Sequence, residues 1–222
     1  MTDDYRSAGF RAPSPSRPGR PKNAASREQF LDAAVDLFGR QGVSATTLAN
    51  IAKEVGVTSA MVHYHFANRD QLLDAVVAER ILPFVVAIHE PIKPEALHNP
   101  AQVFREMAEC MIDHVLRQPW LASTWLSDIG STSGDLCQRV MPYIPIERVD
   151  QLTAATIAAQ ARGELNAQLL PHMVFMSMAG LVLLPFASIS TCSEVHPDAD
   201  FSTDALRRHV MSAVDNLLCP KP

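Results

Sequence analysis

Residues 46–69 read TTLANIAKEVGVTSAMVHYHFANR, and their reading decides the fold. Leu48, Ile51, Ala52 and Val55 recur at helical spacing, and Thr46 or Thr47 stands where a hydroxyl can cap that helix. Gly56 stops it, because a residue without a Cβ enters the left-handed region at no steric cost. Val57 plugs the corner, Thr58 caps again, and a second helix is predicted over Ser59–Phe66. Two short helices about a glycine turn make a helix-turn-helix, whose second helix enters the DNA major groove. The outward side chains of that helix (Ser59, His63, Tyr64 and His65) suit phosphates and base edges better than a catalytic pocket.

Upstream, Ser26 and Gln29 form a capping box, and Phe30, Ala33, Ala34, Leu37 and Phe38 make one apolar stripe, so a helix is predicted over Ser26–Gln41. Downstream, Asn68 caps a fourth helix running to about Ile88, with Pro83 expected to kink it. The run Thr46-Thr47, Ile51-Ala52, Gly56-Val57, His65-Phe66, Asn68-Arg69 and Leu72 resembles the DNA-binding domain of the tetracycline-repressor (TetR) family of bacterial regulators. The resemblance covers about residues 26–88. His63 stands where the family usually has Tyr, and Ala49 where it is often basic, so no relative's DNA sequence preference carries over. The resemblance implies an all-α fold: a three-helix head and a larger helical ligand-binding and dimerisation body, about nine helices in all. It also implies a homodimer on a near-palindromic operator of double-stranded DNA, released by a small organic effector, in the cytoplasm.

Charge divides the chain in the same way. Residues 5–72 hold nine Lys/Arg against five Asp/Glu, whereas 73–222 hold ten against seventeen, giving a basic front on an acidic back. Residues 1–25 are rich in Pro, Ser, Arg and Gly, and are expected to be a disordered basic arm. Its Arg17–Lys22 segment either lies in a narrow A·T minor groove or merely solubilises the chain. The expected domains are the arm, the head over 26–72 with its linking helix at about 68–88, and the body over 73–222. The residues expected to meet DNA are Arg20, Lys22, Arg27, Thr47, Thr58, Ser59, His63, Tyr64, His65 and Arg69. Among them Arg69, at a helix N-terminus, is expected to hold a phosphate.

In the body, Asn99 and Pro100 start a helix running to about Arg117. Phe104, Ala108, Met111 and Val115 form one of its apolar stripes; Val103, Met107, Cys110 and His114 form another. One stripe suffices for a core-facing helix, so the second either lines a cavity or widens the core. Both tryptophans, Trp120 and Trp125, fall within Pro119–Ile129, as pocket wall or as plain packing. The expected ligand-contacting residues are Phe104, Met107, Cys110, Met111, His114, Trp120, Trp125, Met173 and Met176. With no Lys or Arg among them, the ligand is expected to be neutral or weakly polar, with His114 as its polar anchor. The fourth helix alone is expected to join this pocket to the head.

Residues 165–193 contain no Asp, Glu, Lys or Arg, long enough for a membrane span. Pro171, His172, Pro185, the scattered hydroxyls and the lack of a flanking basic cluster argue against one. A partner subunit explains the run better: with the apolar face over 203–219 it would close a four-helix bundle between two copies. Four dispersed cysteines fit reduced thiols, and the N-terminus lacks the apolar stretch of a signal peptide. No cofactor, metal or catalytic residue is expected. The chain has no nucleophile elbow, metal-ligand spacing, phosphate loop or dinucleotide fingerprint, which leaves a rival enzyme using His114 or His172 as a base without support. An architectural DNA-binding protein that takes no ligand is the other alternative.

Overall fold

The computed structural model describes residues 26–219, so Arg20 and Lys22 lie outside the described residues. It contains eleven α-helical segments and, among the described residues, no strand. Helix α1 (Arg27–Gln41) has the expected Ser26/Gln29 box. It lays Phe30, Leu31, Ala34 and Phe38 against α2 (Leu48–Val55) and α4 (Arg69–Val76). Thr47 caps α2, bonding the Asn50 amide at 3.1 Å, while Thr46 is buried and donates to the Gly42 carbonyl. Gly56 closes α2 at φ 76° and ψ 32°, the left-handed geometry that only glycine adopts without strain. Helix α3 (Ser59–His65) follows and buries Val62 alone, with Phe66 sealing its end.

The predicted fourth helix is a rod with a defect. Helix α4 passes through a π turn (Val77–Ile81) into α5 (Leu82–His89), and the Leu82 amide reaches back to the Val77 carbonyl. Pro83, with no N–H, cannot serve the Glu79 carbonyl as a regular helix requires. The Arg80 guanidinium supplies that bond at 3.4 Å, so the irregularity lies upstream of the proline, in a wider turn. Arg80 also pairs with Asp32 at 3.0 Å and Glu28 at 3.5 Å, tying the turn to α1.

The body is built on α6 (Pro100–Arg117), capped by Asn99 and buried through Val103, Phe104, Met107, Met111 and Val115. Around it pack α5, α9 (Ile146–Ala161), α10 (Val174–Val195) and α11 (Thr203–Leu218). Arg105 pairs with Asp215, and Arg207 with Glu109 and Asp113, along the α6–α11 seam. The inner stripe of α11 is Leu206, Val210, Val214 and Leu218, all buried within the single chain. Leu206 is therefore core, and the flanking Met211, Ala213 and Leu217 remain half-open.

Helix α7 (Trp120–Thr124) runs into a second π turn (Trp125–Ile129), and a loop leads to the short α8 (Asp135–Val140). These elements make two joints between head and body besides the α4–α5 rod. In the first, α1 crosses α7 so closely that a Cβ on Gly39 would lie 2.9 Å from the Trp120 Cβ. In the second, Arg69 pairs with Asp135 at 2.7 Å, and Arg139 with Asp70 at 2.6 Å and Asp74 at 2.8 Å. The expectation that the fourth helix alone links pocket to head is corrected by both joints.

Residues Pro171–Val195 are long and apolar enough to cross a membrane, by length and composition only. In the fold α10 packs on α6, α7 and α11 through Val174, Met178, Ala179, Val182 and Leu183. Its other face leaves Met176 and Leu184 exposed, with Gly180 facing open space.

Candidate nucleic-acid interface and body cavity

The outer face of α3 is the barest part of the head. Tyr64 is 84% exposed, the largest value among the exposed large hydrophobic side chains described. Thr58, Ser59 and His63 are exposed beside it. His63 approaches the Ala67 carbonyl at 3.3 Å, and the half-buried His65 ring lies 5.3 Å from both Tyr64 and Phe30. The hydroxyl of Thr58 makes no capping bond, whereas that of Thr47 caps α2. Tyr64, Ser59, His63 and Thr58 thus share one open surface carrying hydrogen-bonding groups that the chain itself hardly uses.

Two arginines named for DNA have partners inside the chain. Arg27 pairs with Glu79 and lies 5.3 Å over the Phe66 ring. Arg69 bonds the Val43 carbonyl at 2.8 Å, the Thr46 carbonyl at 3.4 Å and the Asp135 carboxylate. Its guanidinium joins the α1–α2 corner to α8, so a DNA phosphate would compete with these partners for it.

In the body an apolar cavity of about 350 Å³ opens between α5, α6, α9 and the start of α10. Phe104, Met107, Trp125 and Met176 line it, as the sequence suggested. The other five named residues do not. Met111 is wholly buried core, and Cys110 is half-buried, its thiol pushed up in pKa by burial and then by Asp113. His114 makes a 2.8 Å bond to the Cys110 carbonyl through Nδ1 and packs 5.3 Å from Phe84. Trp120 belongs to the α1–α7 joint, and Met173 is half-exposed just past the cavity's Pro171 and His172.

The buried histidine in the wall is His89. The stripe that runs from the π turn into α5 (Ile81, Phe84, Val85, Ile88) continues to it at the next helical position, a signal legible in the sequence. Its Nδ1 lies 2.7 Å from the Val85 carbonyl, and its ring lies 6.1 Å from Phe175. Burial, and to a lesser degree the nearby Arg148, lowers its pKa below 6.5, against the raising effect of the Val85 bond. Thr153, whose hydroxyl donates to the Val149 carbonyl at 2.9 Å, lines the same cavity, as do Thr132, Cys137 and His172.

Helix α8 has two working faces. Cys137 and Val140 line the cavity, with Met141 just beyond, while Asp135 and Arg139 hold the head. The Asp128 carboxylate fixes its start by accepting the Leu136 amide at 2.8 Å. Gly134 passes so near that a Cβ there would fall 2.0 Å from the Asp128 carbonyl.

An open α3 on a three-helix head, set on a larger helical body, defines a helix-turn-helix fold. Residues 30–76 match the family model described as bacterial regulatory proteins, tetR family, and form a TetR-family DNA-binding domain. A curated relative, the HTH-type transcriptional regulator SrpR of Pseudomonas putida, is 43% identical over 58 residues, 26% of this chain and 27% of that one. The match thus spans about a quarter of that relative's length and is confined to a head-sized segment. Over nearly the whole chain the fold is that of solved family regulators. The hemolysin II regulator HlyIIR aligns with a TM-score of 0.59 at 22% identity, covering 87% of this chain and 97% of that one. The ketosteroid regulator KstR2 of Mycobacterium tuberculosis aligns with a TM-score of 0.65 at 13% identity, covering 88% and 95%.

Proposed function

We propose that this chain is a ligand-responsive transcriptional regulator, a repressor that grips a near-palindromic operator as a homodimer and lets go when a small molecule fills the body. The observation that carries the reading is the double attachment of α8, cavity on one side and head on the other. A ligand that prefers one placement of α8 shifts the population of head positions, by no more than its differential affinity for the two. The head over 26–72 contacts DNA through Tyr64, Ser59, His63 and Thr58, with Thr47 and His65 at the margins and Arg20 and Lys22 from the arm.

The partner is a second copy. The exposed apolar face of α10, with the half-open Ala213 and Leu217 of α11, is the surface it covers, which accounts for 165–193 without a membrane and suits a cytoplasmic protein. Two recognition helices then meet successive major grooves about 34–36 Å apart. The test is footprinting on the DNA flanking the chain's own gene: a protected, two-fold symmetric site supports the reading. Protection without symmetry, or none, removes the operator part of it.

A further inference from the structure

The cavity's chemistry says what kind of molecule it takes. Its wall is overwhelmingly hydrocarbon and aromatic, and no Lys, Arg, Asp or Glu lines it, so a charged ligand would lose its hydration without a counter-charge. Specificity must therefore come from the few polar atoms present and from which hydrogens they still have to give.

Two of those atoms have no hydrogen left. A carbonyl only accepts, so the 2.7 Å contact with Val85 requires His89 to carry its proton on Nδ1. In the neutral ring Nε2 is then a bare acceptor, and it has no partner among the described residues. The residue is only 4% exposed, yet Nε2 keeps some accessible surface, so a ligand that covers it must replace the hydrogen bond water can give. Thr153 repeats the pattern, its hydroxyl hydrogen committed to the Val149 carbonyl and its lone pairs left over. Burial keeps the His89 ring in the neutral form that can accept.

We infer that the cavity selects neutral, largely apolar molecules that carry a hydrogen-bond donor, such as phenolic or alcoholic hydroxyls, and that Nε2 of His89 is the acceptor that recognises them. This rests on the body cavity being the ligand site of the proposed function. It moves the polar anchor from His114, which does not line the cavity, to a histidine one helix earlier. A methyl ether keeps the aromatic surface, adds one methyl and has no hydrogen to give. It leaves the acceptor unpaired, which is the way a hydrogen-bonding site rejects an analogue lacking the right group.

The experiment uses 1-naphthol and 1-methoxynaphthalene, titrated by calorimetry into the full chain and its His89→Leu variant. Tighter binding of 1-naphthol by about tenfold or more, with that preference lost in His89→Leu, is the expected result. An independent readout needs no variant: the ¹⁵N resonance of His89 Nε2 should move with 1-naphthol and stay with the ether. Equal affinities in the wild type, or a preference that survives in His89→Leu with an unmoved resonance, would overturn the role of His89 and leave the cavity as a binding site. Binding of neither compound would overturn this inference and the ligand part of the proposed function together. Binding through His89 that leaves operator affinity unchanged supports the inference and removes the effector reading.

Discussion

The outer face of α3 and the wall of the body cavity are both built from histidines, hydroxyls and aromatic rings, yet they hold them in opposite ways. On α3 the groups stand in water, with Tyr64 84% exposed and the Thr58 hydroxyl making no capping bond. In the cavity His89 is 4% exposed, and its one N–H is fixed on a carbonyl. The first surface can adapt to a large polar partner at small cost to the fold. The second is part of the core, so whatever it binds is coupled to how the helices pack.

Substitutions sharpen that contrast. The largest effect is expected in the body: Phe84→Ala removes a buried ring packed edge-on to Trp125 at 5.4 Å and against His114. It should cost about 3–5 kcal/mol of unfolding free energy in denaturant titrations. Tyr64→Ala should leave stability within about 0.5 kcal/mol. It should weaken operator binding by about tenfold in titrations at fixed salt, the scale of one lost polar contact. If Tyr64→Ala unfolded the head, or Phe84→Ala were silent, the contrast would be wrong.

At the joints the expected effects are smaller. A Cβ on Gly39 meets Trp120 backbone and side chain at about van der Waals overlap, so Gly39→Ala should destabilise by about 1–3 kcal/mol and loosen α1 from α7. Arg69→Ala should leave the salt dependence of DNA binding unchanged, because the guanidinium is held by Asp135, Val43 and Thr46. A slope shallower by about one unit would make it a phosphate contact.

The smallest expected effect is on acid stability. The His89 pKa lies below 6.5 in the folded chain, so on acidification the unfolded state takes up its proton first. Its contribution to stability is complete above about pH 6.5 and falls as pH drops through the lowered folded value. Unfolding curves of His89→Leu between pH 7.5 and 4.5 should show a shallower acid limb than wild type. An identical limb would mean the ring ionises in place.

What could be read from the sequence divides along the same line. The head is written in local terms: Ser26 with Gln29, Thr47 with Asn50 and Asn68 with Gln71 are all contacts three residues apart. Helix boundaries and the glycine turn were therefore legible, as was the Asn99 start of α6. The cavity draws its wall from residues between 89 and 176, brought together by packing that no short period records. The stripes of α6 gave Phe104 and Met107 but could not say which side faced the void, so Met111 and His114 were drawn in with them. Nothing near Arg69 in the sequence announced its partner Asp135, which is 66 residues away. Charge and helix ends are visible in a sequence; the identity of a distant counter-ion is not.

The central claim is that α8 carries the state of the cavity to the head, and Arg139 tests it most directly. The side chain is 23% exposed and pairs with two carboxylates of α4, so Arg139→Ala should cost at most about 1 kcal/mol of stability. The measurement is the ratio of operator affinities without and with saturating 1-naphthol, in wild type and Arg139→Ala. The account predicts that the variant binds 1-naphthol as tightly as wild type and keeps its operator affinity in the absence of ligand, yet the ratio falls several-fold towards one. A variant that binds the ligand normally and shows the full wild-type ratio would contradict it.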